Sequence, residues 1–131
     1  MAYEISNYSV KITLPAAADL STKQYYFVKI NTSGQAALCA AATDKPIGVL
    51  QNAPTAGNAA EVLVIGGTKI VSSASIDEGV AIGTASTGKA DAKVVGTDTT
   101  EYIVGQVILA AGADGDILTA VINCASPARA A

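Results

Sequence analysis

The side chains that could do chemistry in this chain are few and widely separated. The 131 residues include no histidine, which removes Ser-His-Asp and Cys-His catalysis and imidazole metal sites. Cys39 and Cys124 are far apart in sequence, and two thiols without histidine do not make a zinc site. Asp114 and Asp116 flank a glycine as in a calcium loop, but the further acidic ligands of such loops are missing. We therefore predict no enzyme activity, no metal and no cofactor.

One lysine is a candidate attachment site. Asp44 and Lys45 lie in a predicted turn and resemble the Asp-Lys signature of lipoyl and biotinyl carrier domains, which are small, quasi-twofold β-barrels. The chain departs from that pattern because Pro46 follows the lysine and because it is considerably longer than such domains. We interpret Lys45 as a solvated turn residue and keep the carrier domain as an alternative. A modified Lys45 would distinguish the two.

Composition and charge exclude several classes of partner. Eight Lys and Arg stand against eleven Asp and Glu, giving a net charge of −3, and the charges are scattered singly. Without a basic cluster we expect no nucleic-acid binding. Mean hydropathy is high at +0.40, yet no apolar run approaches the roughly 18 residues of a membrane span, and no signal peptide is visible at the N-terminus. A hydrophobic chain with little charge often buries surface against partners.

The pattern of the chain is that of an all-β protein. Apolar and polar residues alternate over short stretches, and Gly, Pro, Asn and Asp mark the turns between them. About ten short strands predict a small closed or partly open β-barrel or sandwich. In strand Ile47 to Gln51, Gly48 marks a bulge or a close approach of backbones. We predict strands at residues 8–14, 24–31, 35–40, 47–51, 61–65, 68–72, 80–82, 89–95, 102–109 and 117–122.

The chain length suits one domain, and two similar halves are visible within it. We predict an N-terminal arm at residues 1–8, a β domain at 9–124 and a flexible C-terminal tail at 125–131. Residues 20–65 align with 76–122. The pairs are Gly34 with Gly88, Ala36 with Ala90, Thr43-Asp44 with Thr97-Asp98, Gly48 with Gly105, Ala56-Gly57 with Ala111-Gly112, Glu61 with Asp116 and Leu63 with Leu118. Strand 8–14 is then an extra element that covers an edge.

The strand at residues 24–31 has apolar side chains on both faces. Tyr26, Val28 and Ile30 share one face, whereas Tyr25 and Phe27 share the other. Two interpretations remain open. Either this is a central strand covered on both sides, or Tyr25 and Phe27 contact another subunit.

A family resemblance is carried by the middle of the chain. Residues 46–68, PIGVLQNAPTAGNAAEVLVIGGT, resemble the pattern of small bacteriophage capsid decoration proteins, also called cement or head-stabilisation proteins. The phrases ASIDEGVAIG at 74–83 and TGKADAKVV at 87–95 are similar to those that follow in such proteins. The likeness extends over residues 24–122 and contains no enzymatic residue.

The resemblance implies a structural virion protein. Such a protein is made in the host cytoplasm and binds the outer surface of a tailed-phage head between major capsid subunits, often as a homotrimer. We expect residues 1–8 to be a docking arm that adds a strand to a capsid edge, with Tyr3, Ile5 and Tyr8 as anchors. A secreted β adhesion or fibre module is a further alternative, and it predicts a disulfide between Cys39 and Cys124.

Overall fold

The computed structural model describes residues 9–131, and every regular element in this range is a β-strand. This confirms the predicted all-β class. There are eleven strands in the described part: β1 Val10–Pro15, β2 Phe27–Ile30, β3 Ala36–Leu38, β4 Gly48–Leu50, β5 Ala59–Val71, β6 Ala81–Thr84, β7 Ala90–Ala92, β8 Tyr102–Ile103, β9 Gly105–Leu109, β10 Ile117–Asn123 and β11 Ala128–Arg129.

One sheet contains nine of these strands and curls back on itself. Its order is β3-β2-β4-β5-β10-β9-β6-β7, with β1 added to β5, and the neighbouring strands pair antiparallel. At each end of the order the edge strand forms one parallel bridge to a distant segment, Ala36 to Ala16 and Ala90 to Ser72. These bridges bend the sheet into the partly open barrel that the sequence predicts.

The sheet divides into two lobes with the same connectivity. The first lobe, residues 10–65, contains β1, the hairpin β2-β3, β4 and the first half of β5. The second lobe, residues 66–123, contains the second half of β5, the hairpin β6-β7, β9 and β10. In each lobe the first strand of the hairpin pairs with the next strand of the same sheet, which pairs in turn with the lobe's last strand. The duplication that would explain this likeness stays a prediction.

Backbone hydrogen bonds define which residues correspond. Tyr25 donates to the Leu50 carbonyl at 2.7 Å, as Gly79 donates to Val107 at 2.8 Å. In the late part of the alignment, the structure matches Gly57 with Gly115 and not with Gly112 as the sequence predicts. The reason is that the amides of Gly57 and Gly115 donate to the carbonyls of the corresponding residues Ala16 and Ser72. Other matching donor and acceptor pairs are Cys39–Phe27 with Lys93–Ala81, Ile47–Val28 with Val104–Ile82, Gly34–Asn31 with Gly88–Ala85, and Ala16–Asn58 with Ser72–Asp116.

Strand β5 differs from the prediction. The sequence predicts a hairpin at Gly66-Gly67, but residues 59–71 form a single strand. The reason is that its two halves have different antiparallel partners: β1 pairs with residues 59–65 and β10 with residues 65–71. Gly66 adopts a φ of 134° at the junction of the lobes. Strand β1 is accordingly not an extra element, because it is the first-lobe counterpart of the second half of β5.

Close backbone packing in both lobes depends on a glycine. A Cβ on Gly48 would lie 2.3 Å from the Leu63 carbonyl oxygen, and a Cβ on Gly105 would lie 2.5 Å from the Val121 carbonyl oxygen. Both distances are shorter than any real contact of this kind. The close approach predicted at Gly48 is confirmed, and it has an exact counterpart in the second lobe.

Each lobe has its own apolar interior. In the first lobe Leu20, Val28, Leu50 and Val62 pack together. The interior of the second lobe is larger, because it also takes in residues from the back of the first-lobe sheet. Its buried members include Phe27, Cys39, Val49, Leu63, Ile70, Ile76, Ile82, Val107, Leu118 and Ile122. The lobes therefore do not pack as equals.

The C-terminal segment is more ordered than a flexible tail. The sequence ASPARAA predicts no structure at 125–131, but Ala128 pairs with Ile103 and Arg129 with Tyr102. Ala130 is fully buried, and its amide donates to the Glu101 carbonyl. A short strand of small residues forms here because β8 presents a free edge that the sequence does not reveal.

Candidate binding surfaces

Two of the predicted contact residues, Tyr25 and Phe27, lie in the described part of the chain. Tyr3, Ile5 and Tyr8 lie outside the described residues. Tyr25 and Phe27, expected side by side on one strand face, are separated because β2 begins only at Phe27.

Phe27 is a core residue. Its side chain is fully buried and packs in the cluster shared by the two lobes. It cannot contact another subunit without unfolding of the chain, so its assignment as an interface residue is wrong. The interpretation as a strand covered on both sides is the correct one, and the second lobe supplies the cover.

Tyr25 has an unusual backbone. Its φ is +68°, the only positive value for a non-glycine residue among residues 9–131, and its counterpart Gly79 has a φ of +82°. The turn before each hairpin therefore requires a left-handed residue, which glycine provides without strain. The Tyr25 side chain is half-buried against the core, so it is available only in part for a partner.

Asp44 has a structural role beside the exposed Lys45. One carboxylate oxygen of Asp44 accepts hydrogen bonds from Lys29 Nζ at 2.9 Å and from the amides of Ala40 and Ala41. Partial burial alone would raise the pKa of Asp44, but these hydrogen bonds outweigh it and hold the pKa below its usual value. Asp98 closes the matching loop of the second lobe through the Val94 amide. Loop closure thus accounts for Asp44.

The cysteines are free and buried. Burial raises the pKa of the Cys39 thiol to about 12, and the Cys124 thiol is raised in the same way, also to about 12. Both thiols are therefore neutral and poorly reactive. The Cys39–Cys124 disulfide that a secreted module predicts is not formed.

Lys93 is the most buried charge of the described residues. Its side chain has no exposed surface, and its ammonium pairs with Glu101 at 2.5 Å and with Asp91 at 3.2 Å. Such a buried cation is tolerated only when it is paired and hydrogen-bonded. Its counterpart in the first lobe is Cys39, a neutral side chain.

Neither a metal site nor a helical membrane span is found in the described range. Over residues 9–131, no three His, Cys, Asp or Glu side chains come together as metal ligands. Asp114 pairs with Lys89 at 2.8 Å. No helix of residues 9–131 is long and apolar enough to cross a membrane.

The surface carries an apolar patch on the outer side of the second lobe. Ile108, Leu109 and Ile117 are at least half exposed on β9 and β10, and we call these three residues the outer patch. Leu109 is 62% exposed and pairs across the sheet with Thr119. A β-bulge between β9 and β10 adds Ile108 beside Leu109. Exposed apolar residues grouped in this way are typical of an interaction site.

Sequence reasoning missed the outer patch although a signal was present. Strand β9 contains the uninterrupted apolar run Val107 to Leu109, and β10 begins with the apolar pair Ile117-Leu118. A strand with apolar residues on both faces is either buried on both sides or exposes one apolar face. The sequence alone does not show whether such a strand is buried on both faces or exposes one apolar face.

A shallow groove lies near the C-terminal segment. It has a volume of about 300 Å³ and is lined by Ile30, Lys45, Pro46, Ile47, Cys124, Ala125 and Pro127. No group of polar side chains converges in it. The groove therefore has the character of a surface depression between the first lobe and the C-terminal segment.

Comparison with known proteins gives a likeness among solved structures. No protein-family model matches the chain, and a search of curated proteins finds no match. Among solved structures, the fold is similar to the head fiber gp8.5 N base of bacteriophage phi29. The TM-score is 0.66 at 18% identity, and the match covers 89% of this chain and 96% of that chain. The resemblance to phage head proteins is thus matched at the level of the fold, over nearly the whole of both chains.

Proposed function

We propose that this chain is a structural protein of a tailed-phage head. It binds the outer surface of the capsid between major capsid subunits and stabilises the shell. The observation that carries the proposal is the near-complete structural likeness to a phage head-fiber base. The sequence pattern at residues 46–68 supports the same class of protein independently of the structural match.

The surface of the chain suits docking to protein. The outer patch of Ile108, Leu109 and Ile117 offers apolar area on a rigid sheet, and the core of a protein interface is usually apolar and low in charge. The net charge of −3 disfavours contact with packaged DNA. We assign the outer patch to the capsid contact.

The N-terminal arm is the second proposed contact. The first residue of β1, Val10, pairs with Ile65. Ile65 also pairs with Asn123 of β10, so the edge of β5 beyond β1 is occupied by β10. In the proposal residues 1–8 pair with an edge of a capsid subunit, with Tyr3, Ile5 and Tyr8 as anchors.

Trimer formation completes the proposal. A clamp that contacts several capsid subunits gains affinity through multivalent attachment, and three copies would present three arms and three outer patches. The protein would then resist the outward pressure of a packaged genome at several points simultaneously.

Co-sedimentation with heads tests the proposal. Heads lacking this protein, purified from the phage whose genome encodes it, are mixed with the full chain and pelleted through sucrose. We expect saturable binding and greater resistance of the heads to heat. Leu109→Asp should weaken binding at least tenfold, whereas Val95→Asp should not, since Val95 is similarly exposed, at 66%, but lies outside the outer patch.

The outcomes separate the parts of the proposal. Absence of saturable binding by the full chain would refute the role on the head. Binding that is unchanged after deletion of residues 2–7 would refute the arm and leave the outer patch. Equal loss with Leu109→Asp and Val95→Asp would refute the assignment of the outer patch.

A further inference from the structure

The groove beside the C-terminal segment has an apolar lining with a single charge. Ile30 and Ile47 belong to the first lobe, Pro127 belongs to the C-terminal segment, and Lys45 is the only charged residue among the described residues that line the groove. Ile30 is 46% exposed, whereas Ile47 and Pro127 are partly buried. The groove volume of about 300 Å³ is at the lower end of the roughly 300–1,000 Å³ of ligand pockets. The groove therefore has room for only a few side chains.

The rim of the groove is positively charged. Arg129, two residues after Pro127, donates a hydrogen bond to the Tyr102 hydroxyl at 3.0 Å. This bond and the charge of Arg129 hold the pKa of Tyr102 below its usual value, and the charge of Lys45 acts in the same direction. Lys45 forms no ion pair within residues 9–131. A carboxylate at this rim would therefore be attracted by both cations.

The described chain begins beside one wall of this groove. Val10, the first residue of β1, pairs with Ile65, and Asn123 at the end of β10 pairs with the same residue. Cys124 follows Asn123 in the chain and lines the groove. Residues 1–8 are therefore covalently attached to the fold close to the groove.

The sequence of residues 1–8, MAYEISNY, complements the groove. Tyr3 and Ile5 are large side chains with apolar surface, and Glu4 between them is the only charged side chain of the segment. In an extended chain Tyr3 and Ile5 point to one side and Glu4 points to the other. Such a segment matches an apolar groove that has a lysine at its rim, because Lys side chains are long enough to reach over a bound segment.

We propose that residues 1–8 bind this groove of their own chain when the protein is not on a head, with Tyr3 and Ile5 toward its apolar lining and Glu4 beside Lys45. The inference concerns the free chain and depends on no capsid component. Docking of the same residues to a capsid edge rests on the proposed function. In that case the groove holds their side chains until docking releases them.

Covalent attachment favours the groove of the same chain over that of a second copy. Five residue steps separate Ile5 from Val10, and fully extended they span up to about 17 Å, more than three strand spacings of about 4.8 Å. A short tether gives an effective concentration in about the millimolar range. A second copy competes only at comparable protein concentrations. Binding in the groove also covers apolar side chains that otherwise promote unspecific association.

A single tryptophan reports whether residues 1–8 are bound. The chain contains no tryptophan, so Tyr3→Trp places one in this segment alone. We expect blue-shifted emission from the native protein and protection from quenching by acrylamide. Adding Ile30→Asp places a charge in the groove, which should shift the emission to the red and raise the quenching constant at least threefold.

A matched substitution outside the groove serves as the control. Val121 is 50% exposed, close to the value for Ile30, and it does not line the groove. Val121→Asp in the Tyr3→Trp background should therefore leave the emission and the quenching constant unchanged. If Ile30→Asp fails to fold, Lys45→Glu takes its place, and Ile5→Trp repeats the measurement from a second position.

Charge exchange tests the contact between Glu4 and Lys45. Glu4→Lys and Lys45→Glu should each raise the quenching constant at least twofold, because each replaces an attraction by a repulsion. The two substitutions together should restore the protection, since the charges are then exchanged. Equal quenching in the single and the double variants would overturn the placement of Glu4 beside Lys45.

Dilution distinguishes the groove of the same chain from that of a second copy. The emission of Tyr3→Trp should be unchanged over a hundredfold dilution. Emission that shifts to the red on dilution would overturn binding within one chain and indicate exchange of residues 1–8 between copies.

Two further results would overturn the groove site itself. One is a tryptophan that is as accessible in the native protein as in denaturant, both for Tyr3→Trp and for Ile5→Trp. The other is an equal response to Ile30→Asp and Val121→Asp. None of these measurements uses heads, so failure of the free chain to bind heads would refute the proposed function and leave this inference intact.

Discussion

The two lobes share a backbone pattern but use it differently. The first-lobe row, in which Phe27, Val49 and Leu63 pair across β2, β4 and β5, is part of the core, whereas the second-lobe row, in which Ala81, Gln106 and Val121 pair across β6, β9 and β10, faces solvent. The same register therefore supports either a core or a surface, and the side chains decide which. The first lobe depends on the second for cover, and the second lobe has no such dependence within the described chain.

A second contrast concerns charge. Cys39 and Lys93 donate matching backbone hydrogen bonds to Phe27 and Ala81, so they occupy the same place in each lobe. Cys39 is neutral and lies between the lobes. Lys93 is a buried cation that needs Glu101, and the carbonyl of Glu101 also accepts a hydrogen bond from Ala130 in the C-terminal segment. The second lobe thus closes its interior with an ion pair and the C-terminal strand where the first lobe uses its neighbour.

The largest expected effect tests the contrast between the rows. Leu63→Ala removes a buried side chain and should lower the free energy of unfolding by about 3 kcal/mol, within the range of such core truncations. Val121→Ala, at the matching exposed position, should change it by less than about 0.5 kcal/mol. Chemical denaturation at concentrations where the protein is monomeric measures both. Similar losses for the two variants would mean that the second-lobe row is covered within one chain.

The glycines that allow close strand packing should respond alike in both lobes. Gly48→Ala and Gly105→Ala each force a Cβ against a carbonyl oxygen of the neighbouring strand, and we expect each to cost about 3 kcal/mol, at the upper end of overpacking effects. Gly67→Ala is the control, because nothing lies within 4 Å of its Cβ position. Thermal unfolding of the three variants makes the comparison. A large loss for only one of the first two would show that the lobes do not share this constraint.

The sequence predicts the parts of this fold that depend on local pattern. Strand alternation and turn glycines identify most strands, and the all-β class follows from them. The correspondence of Gly34 with Gly88 and of Gly48 with Gly105 can also be predicted from the sequence, because each glycine is required locally by a turn or by a close approach of two backbones. These features are decided within a few residues of where they occur.

The features that were missed depend on distant partners. The double glycine at 66–67 is typical of a turn, and only the two partners of β5 keep the strand continuous. The strand at Ala128–Arg129 forms because of β8, which is distant in sequence. Phe27 has apolar neighbours on both faces, and whether a lobe or another subunit covers it is decided by the path of the whole chain.

The buried ion pair of the second lobe provides the next test. Glu101→Gln leaves the fully buried ammonium of Lys93 with only Asp91, whose side chain is 40% exposed. We expect a loss of about 2 kcal/mol, below the usual cost of breaking a buried pair because one partner remains. Asp114→Asn removes the exposed partner of Lys89 and should have no measurable effect. Equal stability of both variants would mean that Lys93 reaches solvent in solution.

The smallest expected effect compares the aspartates that close the matching loops. Asp44→Asn and Asp98→Asn each weaken hydrogen bonds to backbone amides, and each should cost about 1 kcal/mol at neutral pH, as loss of a capping side chain does.

Asp44 should additionally show a pH dependence. Its folded-state pKa lies below the usual value, so its ionised form stabilises the fold above about pH 4. This contribution is lost as pH falls through the folded-state pKa, because the carboxylate must then be protonated in the native protein. The difference in unfolding free energy between the wild type and Asp44→Asn should therefore be constant near neutrality and shrink below pH 4. A difference that stays constant down to pH 2 would show that the charge of Asp44 does not contribute to the unfolding free energy. The asparagine side chain would then destabilise the loop only through the geometry of its hydrogen bonds.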